Sequence, residues 1–456
     1  MGGLRRFLIV LTAAATILAV TAGSSYASRA PAGAGLSPLH ATRGTNPGIF
    51  DAQGRQVLLR GVNFNELGDY FQADPSVSPV IPFRASQFDD IAAQGFDVVR
   101  LTLSWSLLEP KRGQISTAEI NRIQKVVDDA AARHLYVVLD MHQDAWGKYI
   151  ASPPGTVCPP GTQTAIGWDG APKWATITDG LSTCRTAGIR ELSPAVTRAF
   201  DNFYANVDGI QDQFIDVWAA LAKRFANDPA VVGYDLLNEP HFSSNPATVN
   251  VNLANLYQRL DTKIRSVERS VGGGFSHIVF FEPDVLWSAL GVTDVPSPTF
   301  TTDTNIVFAP HLYGGSLAAI SVPDGYQAAE AKAATYGTTF WSGEWGAFNN
   351  TSQLAAVVAQ IGQFQDATLT GGAWWQWEQS CGDPHTINGD GGTPPTEVIE
   401  YNIILCPGNR DAGPDPLWQP VLTRSYPRAA PGRLLSLVSD PTTGDLQLTG
   451  NGRGTL

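Results

Sequence analysis

Short apolar runs alternate with amphipathic stretches along most of the chain. The runs are five to seven residues long and occupy positions 57–63, 97–103, 135–141, 231–237, 277–281, 306–310, 339–343 and 372–377. Stretches between them, such as "TAEINRIQKVVDDAAARH", repeat apolar positions with the period of a helix. Strands buried on both faces have continuous apolar sequences, and eight of them alternating with helices are typical of a (β/α)8 barrel. The pattern therefore predicts an α/β fold, a TIM barrel, over residues 48–425.

The third and fourth runs are much further apart than a strand, a helix and a second strand require. The gap from His142 to Val231 greatly exceeds the roughly 30 residues of such a unit. It contains "SPPGTVCPPGTQTAIGWDGAPKWATITDGLSTC", which is rich in Gly, Pro and Trp. Loops that follow barrel strands form the mouth where barrel enzymes carry their active sites. We therefore predict that an insertion, residues 143–200, is a surface loop and also a wall of the binding cleft.

The two ends of the chain differ in composition from this central region. Residues 1–27 place Arg5 and Arg6 before an apolar run and end in small residues, as a secretory signal peptide does. A membrane anchor is the alternative, but the run is short for a span and leads directly into Ala/Gly/Ser/Pro-rich sequence. Residues 28–47 are predicted to be a linker. Residues 426–456 predict a partial C-terminal β region, two strands that either dock on the barrel or begin a β-sandwich.

Polar residues interrupt the apolar runs where the predicted strands end. Strand 2 contains an arginine, and strands 3, 4, 6, 7 and 8 end in histidine, carboxylate, amide, tyrosine or tryptophan side chains. These candidate site residues are Arg100, His142, Asp144, Asn238, Glu239, His311, Tyr313, Glu344, Trp377 and Glu378. Any one of them is most often an ion-paired or packed side chain. Since the carboxyl ends of all eight strands meet at one mouth, their joint presence predicts an active site there.

Two glutamates follow strands 4 and 7 and are expected to face each other across this mouth. Cleavage of a glycosidic bond uses such a pair, in which one carboxyl protonates the leaving oxygen and the other attacks the anomeric carbon. We predict that Glu239 is the acid/base, with a raised pKa, and that Glu344 is the nucleophile. A separation of about 5–5.5 Å between the two carboxyl groups indicates a glycosyl-enzyme intermediate and retention of configuration.

The other strand-end residues are predicted to support this pair and to hold a sugar. Tyr313 and Arg100 keep Glu344 ionised through a hydrogen bond and a positive charge. Asn238 bonds the sugar 2-hydroxyl, a contact that strengthens in the transition state. The remaining predicted sugar contacts are His142, His311, Asp144, Glu378 and Trp377, the last through the apolar face of its ring.

Composition restricts the partners and the compartment. A formal charge of -12 excludes a general attraction to nucleic acid or anionic lipid. The four cysteines fit two disulfides in an exported protein, and of the three possible pairings we favour the local ones, Cys158 with Cys184 and Cys381 with Cys406. No HExxH or clustered His/Cys motif indicates a metal site. We therefore expect a secreted, monomeric hydrolase that uses no metal or cofactor.

The motifs "NEP" after strand 4 and "GEW" after strand 7, with the other strand-end residues, resemble the retaining β-glycosidases of glycoside hydrolase family five. The resemblance covers about residues 48–425 and implies that Glu239 is the acid/base and Glu344 the nucleophile. Within the family, "VVLDMHQDAWG", "GAPKWATITDGL", "AVTRAFDNFY" and "ANDPAVVGYDLLNEP" resemble the endoglycoceramidase branch. That branch cuts the β-linkage between the intact glycan and the ceramide of a glycosphingolipid, without a cofactor, and has a β-sandwich after the barrel.

The resemblance to endoglycoceramidases has consequences for the substrate site. Asp144 matches a residue that contacts the sugar next to ceramide in that branch. The ceramide requires an apolar groove, for which the candidates are the "GGAWW" segment, Trp168, Trp174 and Phe348. A glycolipid substrate also implies transient contact with a membrane surface or a micelle.

Two features depart from this branch. After strand 1 the sequence is "NFNELGDYF", where the branch is expected to have a lysine near the sugar, so the identity of the sugar next to ceramide, glucose or galactose, stays open. The tail after Tyr426 begins like the expected sandwich but is too short to complete it.

Three other functions are compatible with the same barrel. An endo-β-glucanase or mannanase acting on polysaccharide requires an extended open cleft with several stacking aromatics. An exo-β-glucosidase of glycolipids or sterols is the second. A non-catalytic, lectin-like protein is the third, and the presence of both Glu239 and Glu344 weighs against it, because binding alone does not need that pair.

Overall fold

The computed structural model describes residues 35–291, 295–348, 351–385 and 400–454. The predicted signal peptide, residues 1–27, lies outside the described residues, as does the first part of the predicted linker. Among the described residues, no helix combines the length and the apolar character that a bilayer span requires.

Eight parallel strands form the central sheet, and the predicted barrel is confirmed. They are β1 (Arg60–Phe64), β2 (Val98–Ser104), β3 (Tyr136–His142), β4 (Val231–Asp235), β5 (Ile278–Phe281), β6 (Ile306–Phe308), β7 (Ser342–Trp345) and β8 (Gly372–Trp374). Neighbouring strands pair in the order β6-β5-β4-β3-β2-β1-β8-β7. Isolated parallel bridges join Phe308 to Phe340 and Leu312 to Trp345, between β6 and β7. These bridges close the sheet into a barrel.

Helices cover the outside of the barrel. They are α1 (Ser86–Ala93), α2 (Trp105–Leu108), α3 (Thr117–Ala131), α4 (Pro194–Tyr204), α5 (Ile210–Phe225), α6 (Val249–Ser270), α7 (Leu286–Leu290), α8 (Val322–Tyr336), α9 (Ser352–Ala367) and α10 (Gln419–Leu422). Apolar stripes on the long helices pack on the outward face of the strands and form the larger core cluster.

The inner face of the barrel changes from apolar to charged along each strand. Val98 and Arg100 of β2 lie on one face because they are two residues apart, as do Val138 and Asp140 of β3. The register pairs Arg100 with Val138 and Asp140 with Asp235, so these side chains are neighbours. The inner residues near the amino ends of the strands form a separate apolar cluster. On the inner face, charge therefore begins beyond these apolar residues, towards the carboxyl ends of the strands.

The predicted linker was wrong for its described part. Leu39–Thr42 is a strand that pairs antiparallel with Gly48–Asp51. Leu39, Ala41 and Ile49 are buried against the apolar inner cluster of the barrel. Alternation of Leu39 and Ala41 with the polar His40 and Thr42 is the signal of a half-buried strand, and burying Leu39, Ala41 and Ile49 covers the amino end of the barrel.

The C-terminal β region docks on the barrel, the first of the two predicted arrangements. Leu434–Ser439 pairs with Leu446–Gly450, and Leu434 and Leu437 pack with Leu58 of the barrel. The backbone N–H of Ser439 donates to Asp366 of α9 at 3.0 Å. This hairpin buries its apolar face without a second sheet.

Two disulfides tie the longest loops at the mouth. Cys158 bonds Cys184 inside the 143–200 insertion, and Cys381 bonds Cys406 after β8. The predicted local pairing is confirmed. The insertion also contains a short antiparallel pair, Thr162–Gln163 with Arg185–Thr186.

Candidate active site

Arg100 lies at the centre of a buried polar network at the mouth of the barrel. Its Nε donates to Asp235 at 2.9 Å and its Nη1 donates to Asn63 of β1 at 3.0 Å. Its Nη2 donates to Asn238 at 2.9 Å and to Glu282 at 3.0 Å. A guanidinium offers five donors in a fixed fork, so this single side chain fixes the ends of several strands relative to one another.

Three acids besides Glu344 surround that guanidinium. Oxygen atoms of Asp140, Asp235 and Glu282 lie within 4.8 Å of one another. Burial opposes the charge on Arg100, but the carboxylates of Asp140 and Asp235 outweigh it and raise the pKa of Arg100. The cation in turn offsets the repulsion between acids that have lost their hydration.

Glu344 of β7 is held by two strong donors. Its Oε1 accepts from Arg100 Nη1 at 2.9 Å, and its Oε2 accepts from the Tyr313 hydroxyl at 2.8 Å. Burial and the neighbouring Glu344 raise the pKa of Tyr313, so the phenol keeps its proton and donates it. These contacts fix the position of the carboxylate, as a nucleophile requires.

Glu239 follows β4 in a constrained backbone conformation. Its φ of +38° lies in the left-handed region, and its N–H donates to Glu282 Oε2 at 2.8 Å. Its Oε1 accepts from Ser288 Oγ at 2.7 Å and from His311 Nδ1 at 2.9 Å. One oxygen of Glu239 lies within 4.8 Å of one oxygen of Glu344. The two predicted catalytic carboxyl groups therefore face each other at close range.

The predicted raised pKa of Glu239 is wrong for the free protein. Burial does favour the neutral acid, but the hydrogen bond and charge of His311 and the charge of Arg190 outweigh it, and the pKa of Glu239 is lowered. Arg190 Nη2 lies 3.5 Å from Glu239 Oε2. Burial opposes a charge on His311, whereas Glu282 and Glu344 favour it, and the pKa of His311 is raised. The proton of this pair therefore rests on the imidazole side.

His142 is oriented by a carboxylate and by a ring. Its Nδ1 lies 2.7 Å from Asp140 Oδ2, and its ring stacks on Trp375 with centroids 5.2 Å apart. Burial lowers the pKa of His142, but the Asp140 charge and hydrogen bond outweigh this and raise it. Among the described residues, its buried Nε2 makes one contact, a long one of 3.7 Å to Asp144 Oδ2. This nitrogen is a donor available to a sugar hydroxyl.

Asn238 is held in place by hydrogen bonds at both ends of its side-chain amide. Its Oδ1 accepts from Arg100, and its Nδ2 donates to the backbone oxygen of Gln143 at 3.1 Å. Gln143 in turn donates to the backbone oxygens of Asn238 and Glu239 at 2.7 and 2.9 Å. One hydrogen of the Asn238 amide remains free of these bonds.

Asp144 joins two cations that sequence reasoning missed. Its Oδ1 lies 2.6 Å from Arg190 Nη2, and its Oδ2 lies 3.1 Å from His385 Nε2. Burial opposes ionisation, but the charge of Arg190 and the hydrogen bonds of His142 and His385 lower the pKa of Asp144 well below its usual value. The Arg190 guanidinium lies 4.4 Å from the centre of the Trp168 ring. The insertion thus supplies a charged wall of the cleft.

Of three site residues that sequence reasoning missed, two had no recognisable sequence signal and one had a signal that was overlooked. Arg190 lies in a turn-rich part of the insertion and matches no strand-end pattern. His385 follows Cys381, beyond the expected end of strand 8. Glu282 had a signal, because "FFEPD" after strand 5 repeats the Glu-Pro pair of the "NEP" motif.

The structure does not bring Trp377 to the carboxylate pair. Trp377 is 1% exposed and stacks on Tyr401 in the core between strands and helices. Trp375 lies at the site instead, packed with Tyr313 and stacked on His142. The prediction was wrong because β8 ends at Trp374, and the alternation that would place Trp375 and Trp377 on one face does not continue beyond the strand.

Glu378 also lies apart from the residues that hold Glu239 and Glu344. Its described contacts are with Gln87 and with Arg84, whose Nη2 is 3.8 Å away. Burial raises the pKa of Glu378 to about 7. As a sugar contact it remains a prediction.

An apolar group lies beside the nucleophile. Tyr313, Trp375 and Ala318 form a small cluster with Ile320 and Phe348 packed on it. Of the predicted groove residues, Phe348 and the "GGAWW" segment are therefore next to Glu344.

The two tryptophans of the insertion have different surroundings. Trp174 packs on Trp105 with ring centroids 5.4 Å apart and belongs to the margin of the core. Trp168 contacts His385, with centroids 4.9 Å apart, and so belongs to the charged wall.

A lysine from the insertion reaches the segment after β1. Lys148 Nζ lies 2.8 Å from Asp69 Oδ1, and Ser106 donates to the other oxygen of the same carboxylate at 2.6 Å. The segment after β1 is thus paired with a cation from the insertion.

Comparisons with known proteins agree with this geometry. The family described as Cellulase (glycosyl hydrolase family 5) matches residues 50–380. The chain is 30% identical to Endoglycoceramidase I of Rhodococcus hoagii over 287 residues, 61% of this chain and 54% of that protein. The chain is 28% identical over 286 residues to Endoglycoceramidase of Hydra vulgaris, 54% of this chain and 50% of that protein. The chain thus spans about half the length of the curated relatives it matches.

Two solved structures extend the comparison. The crystal structure of endogalactoceramidase superposes with a TM-score of 0.83 at 44% identity, covering 88% of this chain and 87% of that one. Endo-glycoceramidase II from Rhodococcus sp. in a cellobiose-like isofagomine complex gives a TM-score of 0.65 at 25% identity, covering 86% and 84%. The family match spans well over half of the chain, including Arg100, Glu239 and Glu344. The chain therefore belongs to glycosyl hydrolase family 5.

Proposed function

We propose that this protein is a secreted, retaining endo-β-glycosidase that cleaves the bond between the glycan and the ceramide of glycosphingolipids. One observation carries the proposal. Glu239 lies beside a charged wall that contains Asp144, Arg190 and His385, and Glu344 lies beside an apolar cluster that contains Tyr313, Trp375 and Phe348. A substrate that is polar on one side of the scissile bond and apolar on the other fits this division.

The reaction begins with attack of Glu344 on the anomeric carbon. As that bond forms, the bond to the ceramide oxygen breaks, and Glu239 gives this oxygen a proton. Arg100 and Tyr313 hold the attacking carboxylate in place. In the second half a water attacks the same carbon, Glu239 takes its proton, and Glu344 is released. Carboxylate oxygens within 4.8 Å support this double displacement, since inverting enzymes need about 6.5–9.5 Å for a water between them.

Relatives support the substrate class. The solved relative at 44% identity is an endogalactoceramidase, and the two curated relatives compared above are endoglycoceramidases. Two disulfides support secretion, because such bonds form in oxidising compartments.

A lipid surface is the proposed place of action. Eleven large apolar side chains are exposed in the described part of the chain, and nine of them lie in the segments that follow strands β3, β4, β5, β6 and β8. The nine are Tyr149, Val157, Leu181, Ile189, Leu192, Val251, Leu290, Leu317 and Leu405. The other two, Leu435 and Val438, lie on the C-terminal hairpin. Apolar side chains around the entrance favour a mouth that faces the lipid.

The substrate test measures release of free oligosaccharide from defined lipids. A glucosylceramide-based ganglioside and a galactosylceramide-based neutral glycolipid are compared with carboxymethylcellulose, with Glu344→Gln as the control. Intact glycan and ceramide from either lipid, absent with the variant, support the proposal. Activity on the polymer alone would replace it with an endoglucanase function.

Sedimentation with phosphatidylcholine vesicles tests the lipid surface. The double variant Val157→Asp/Leu317→Asp is expected to lose binding, while the matched control Leu435→Asp/Val438→Asp binds like the native protein. Equal binding by both variants contradicts a lipid-facing mouth.

A further inference from the structure

Glu282 is a buried acid directly after β5 that contacts both Glu239, the proposed acid/base, and His311, which bonds the Glu239 carboxylate. Its Oε2 accepts the backbone N–H of Glu239 at 2.8 Å, and its Oε1 accepts from Arg100 at 3.0 Å. Its Oε1 also lies 3.3 Å from His311 Nε2. The Glu282 residue is 2% exposed, so no water competes for these contacts from outside.

The contacts of Glu282 with the Glu239 backbone and with His311 both help to fix the position of Glu239. The left-handed φ of +38° costs free energy for a residue with a β-carbon, and it persists only where neighbours impose it. The bond from the Glu239 N–H to Glu282 is one such constraint. His311 bonds the other end of the same residue, at the carboxylate, with Nδ1 2.9 Å from Oε1. Glu282 therefore holds the acid/base at its backbone directly and at its carboxylate through His311.

Charged groups around this trio determine where its proton lies. Glu282 faces Arg100, and oxygens of Asp140 and Asp235 lie within 4.8 Å of one of its own. Burial raises the pKa of Glu282 to about 8. The negative charge of Asp235 also raises it, whereas the positive charges of His311 and Arg100 lower it.

His311 and Glu239 each have further charged neighbours. His311 Nδ1 lies 3.4 Å from Glu344, and Glu239 faces Arg190 at 3.5 Å and the charge of Asp144. Burial opposes a proton on His311, and Glu282 is the first of the carboxylates that favour it. At neutral pH a proton is thus retained within the group formed by Glu282, His311 and Glu239.

We propose that Glu282 is a positioning residue for the acid/base, which fixes the backbone of Glu239 and, through His311, keeps a proton available to its carboxyl. This rests on the proposed glycosidase reaction. Glu282 itself touches no reacting atom: Glu239 transfers the proton to the leaving oxygen, and the bond from Glu344 to the sugar forms as the bond to that oxygen breaks. Protonation matters when the leaving group is a poor one and little when it is an acidic phenol, which leaves without a proton.

The test compares Glu282→Gln with the native enzyme on two leaving groups. The substrates are phenyl and 2,4-dinitrophenyl β-lactosides and the corresponding digalactosides, measured as kcat/KM over a range of pH. The matched control is Glu268→Gln, another buried glutamate, which accepts from the N–H of His277 at 3.0 Å, lies 2.9 Å from its Nδ1, and contacts Arg265 at 2.8 Å, at the start of β5. Glu268 has the same kinds of contact but none with Glu239.

Glu282→Gln is expected to lower kcat/KM about 100-fold on the phenyl glycosides and less than about threefold on the dinitrophenyl glycosides. The alkaline limb of its pH profile moves to lower pH by about one unit, because the proton on the imidazole loses a carboxylate. Glu268→Gln shows neither change. In a Glu239→Gln background, adding Glu282→Gln produces little further loss on the dinitrophenyl glycosides.

Equal losses on both leaving groups, or an unshifted pH profile, would overturn the proposal and make Glu282 a structural residue only. If Glu282→Gln does not fold, Glu282→Asp, which keeps the charge but shortens the reach, must give the same leaving-group dependence. If the native enzyme were inactive on every glycoside and glycolipid, the proposed glycosidase function itself would be wrong. That outcome differs from a failure of the Glu282 proposal, in which the native enzyme is active.

Discussion

Glu239 experiences opposing electrostatic influences in the free protein. Burial and the charge of Asp144 favour its neutral form, whereas His311 and Arg190 favour the carboxylate and prevail. A general acid nevertheless needs its proton in the first half of the reaction. The 2.9 Å bond between Glu239 and His311 provides a direct path for that proton. Protonation of Glu239 thus depends on His311, which sequence reasoning regarded only as a sugar contact.

Arg190→Gln is expected to move the alkaline limb of kcat/KM to higher pH by about one unit. The positive charge of Arg190 lowers the pKa of Glu239, so without it the acid keeps its proton at a higher pH. The measurement is the pH profile on a phenyl glycoside. Arg198→Gln is the control, because Arg198 belongs to the same insertion but pairs with exposed Asp179 at 3.0 Å. A profile that shifts equally in both variants contradicts the specific role of Arg190.

Replacing the two neighbouring tryptophans is expected to affect different properties. Trp377→Ala removes a fully buried ring and lowers the free energy of unfolding by about 3–5 kcal/mol. Trp375→Ala removes the ring beside Tyr313 and His142 and lowers kcat/KM at least about tenfold. Denaturant unfolding and steady-state kinetics on the same preparations separate the two effects. If Trp377→Ala instead lowered kcat/KM and Trp375→Ala lowered only the free energy of unfolding, Trp377 would be the ring that contacts the sugar.

At the scale of elements, the barrel strands position the carboxylates and the 143–200 insertion positions the charges around them. Arg100, Glu239 and Glu344 stand on or directly after strands whose register is set by backbone hydrogen bonds. Arg190 and Lys148 belong to the insertion, which has little regular structure of its own. The placement of those cations therefore depends on cross-links and on packing against the mouth.

Removing the insertion disulfide with Cys158→Ser/Cys184→Ser is expected to lower the free energy of unfolding by up to about 3 kcal/mol, from the entropy of a loop that spans a separation of 26 residues. KM should rise more than kcat falls, because the charged wall loosens while the carboxylate pair stays on its strands. Cys381→Ser/Cys406→Ser is a comparison with nearly the same loop, a separation of 25 residues. A loss of kcat alone after the first replacement would contradict this division of roles.

At the scale of the whole molecule, the buried acids make stability depend on pH. Burial raises the pKa of Asp169 and of Glu378 to about 7 and that of Glu282 to about 8. In the unfolded chain such groups titrate at about 4, so between these values the folded protein binds more protons. Their contribution to stability is fully present below the unfolded pKa and is lost as the pH rises through 7 and 8.

The thermal midpoint of unfolding is therefore expected to fall between pH 6 and pH 9. His385 acts in the same direction: burial opposes its charge, but Asp383 and Asp144 raise its pKa to about 9, and this stabilisation is lost as the pH rises through that value. Calorimetry across the range measures the effect. Glu378→Gln, which cannot ionise, should show a smaller fall, and a midpoint that rises with pH in the native protein would contradict the assignment.

The sequence by itself determined the barrel, the two disulfides and most of the residues around the carboxylate pair. Periodicity reports which faces are buried, and strands of a parallel barrel bring their carboxyl ends to one mouth whatever the loops do. That is why Glu239, Glu344, Arg100 and Tyr313 could be grouped before any coordinates were known.

Only the tertiary structure decided which ring and which charges complete the site. Trp375 and Trp377 differ by a local choice of face that composition does not encode. Arg190, Lys148 and His385 reach the mouth from loops far along the chain, and their placement follows from three-dimensional packing that leaves no periodic signal. The pKa of Glu239 likewise depends on distances to several such groups, so its direction could not be obtained from the residue beside it.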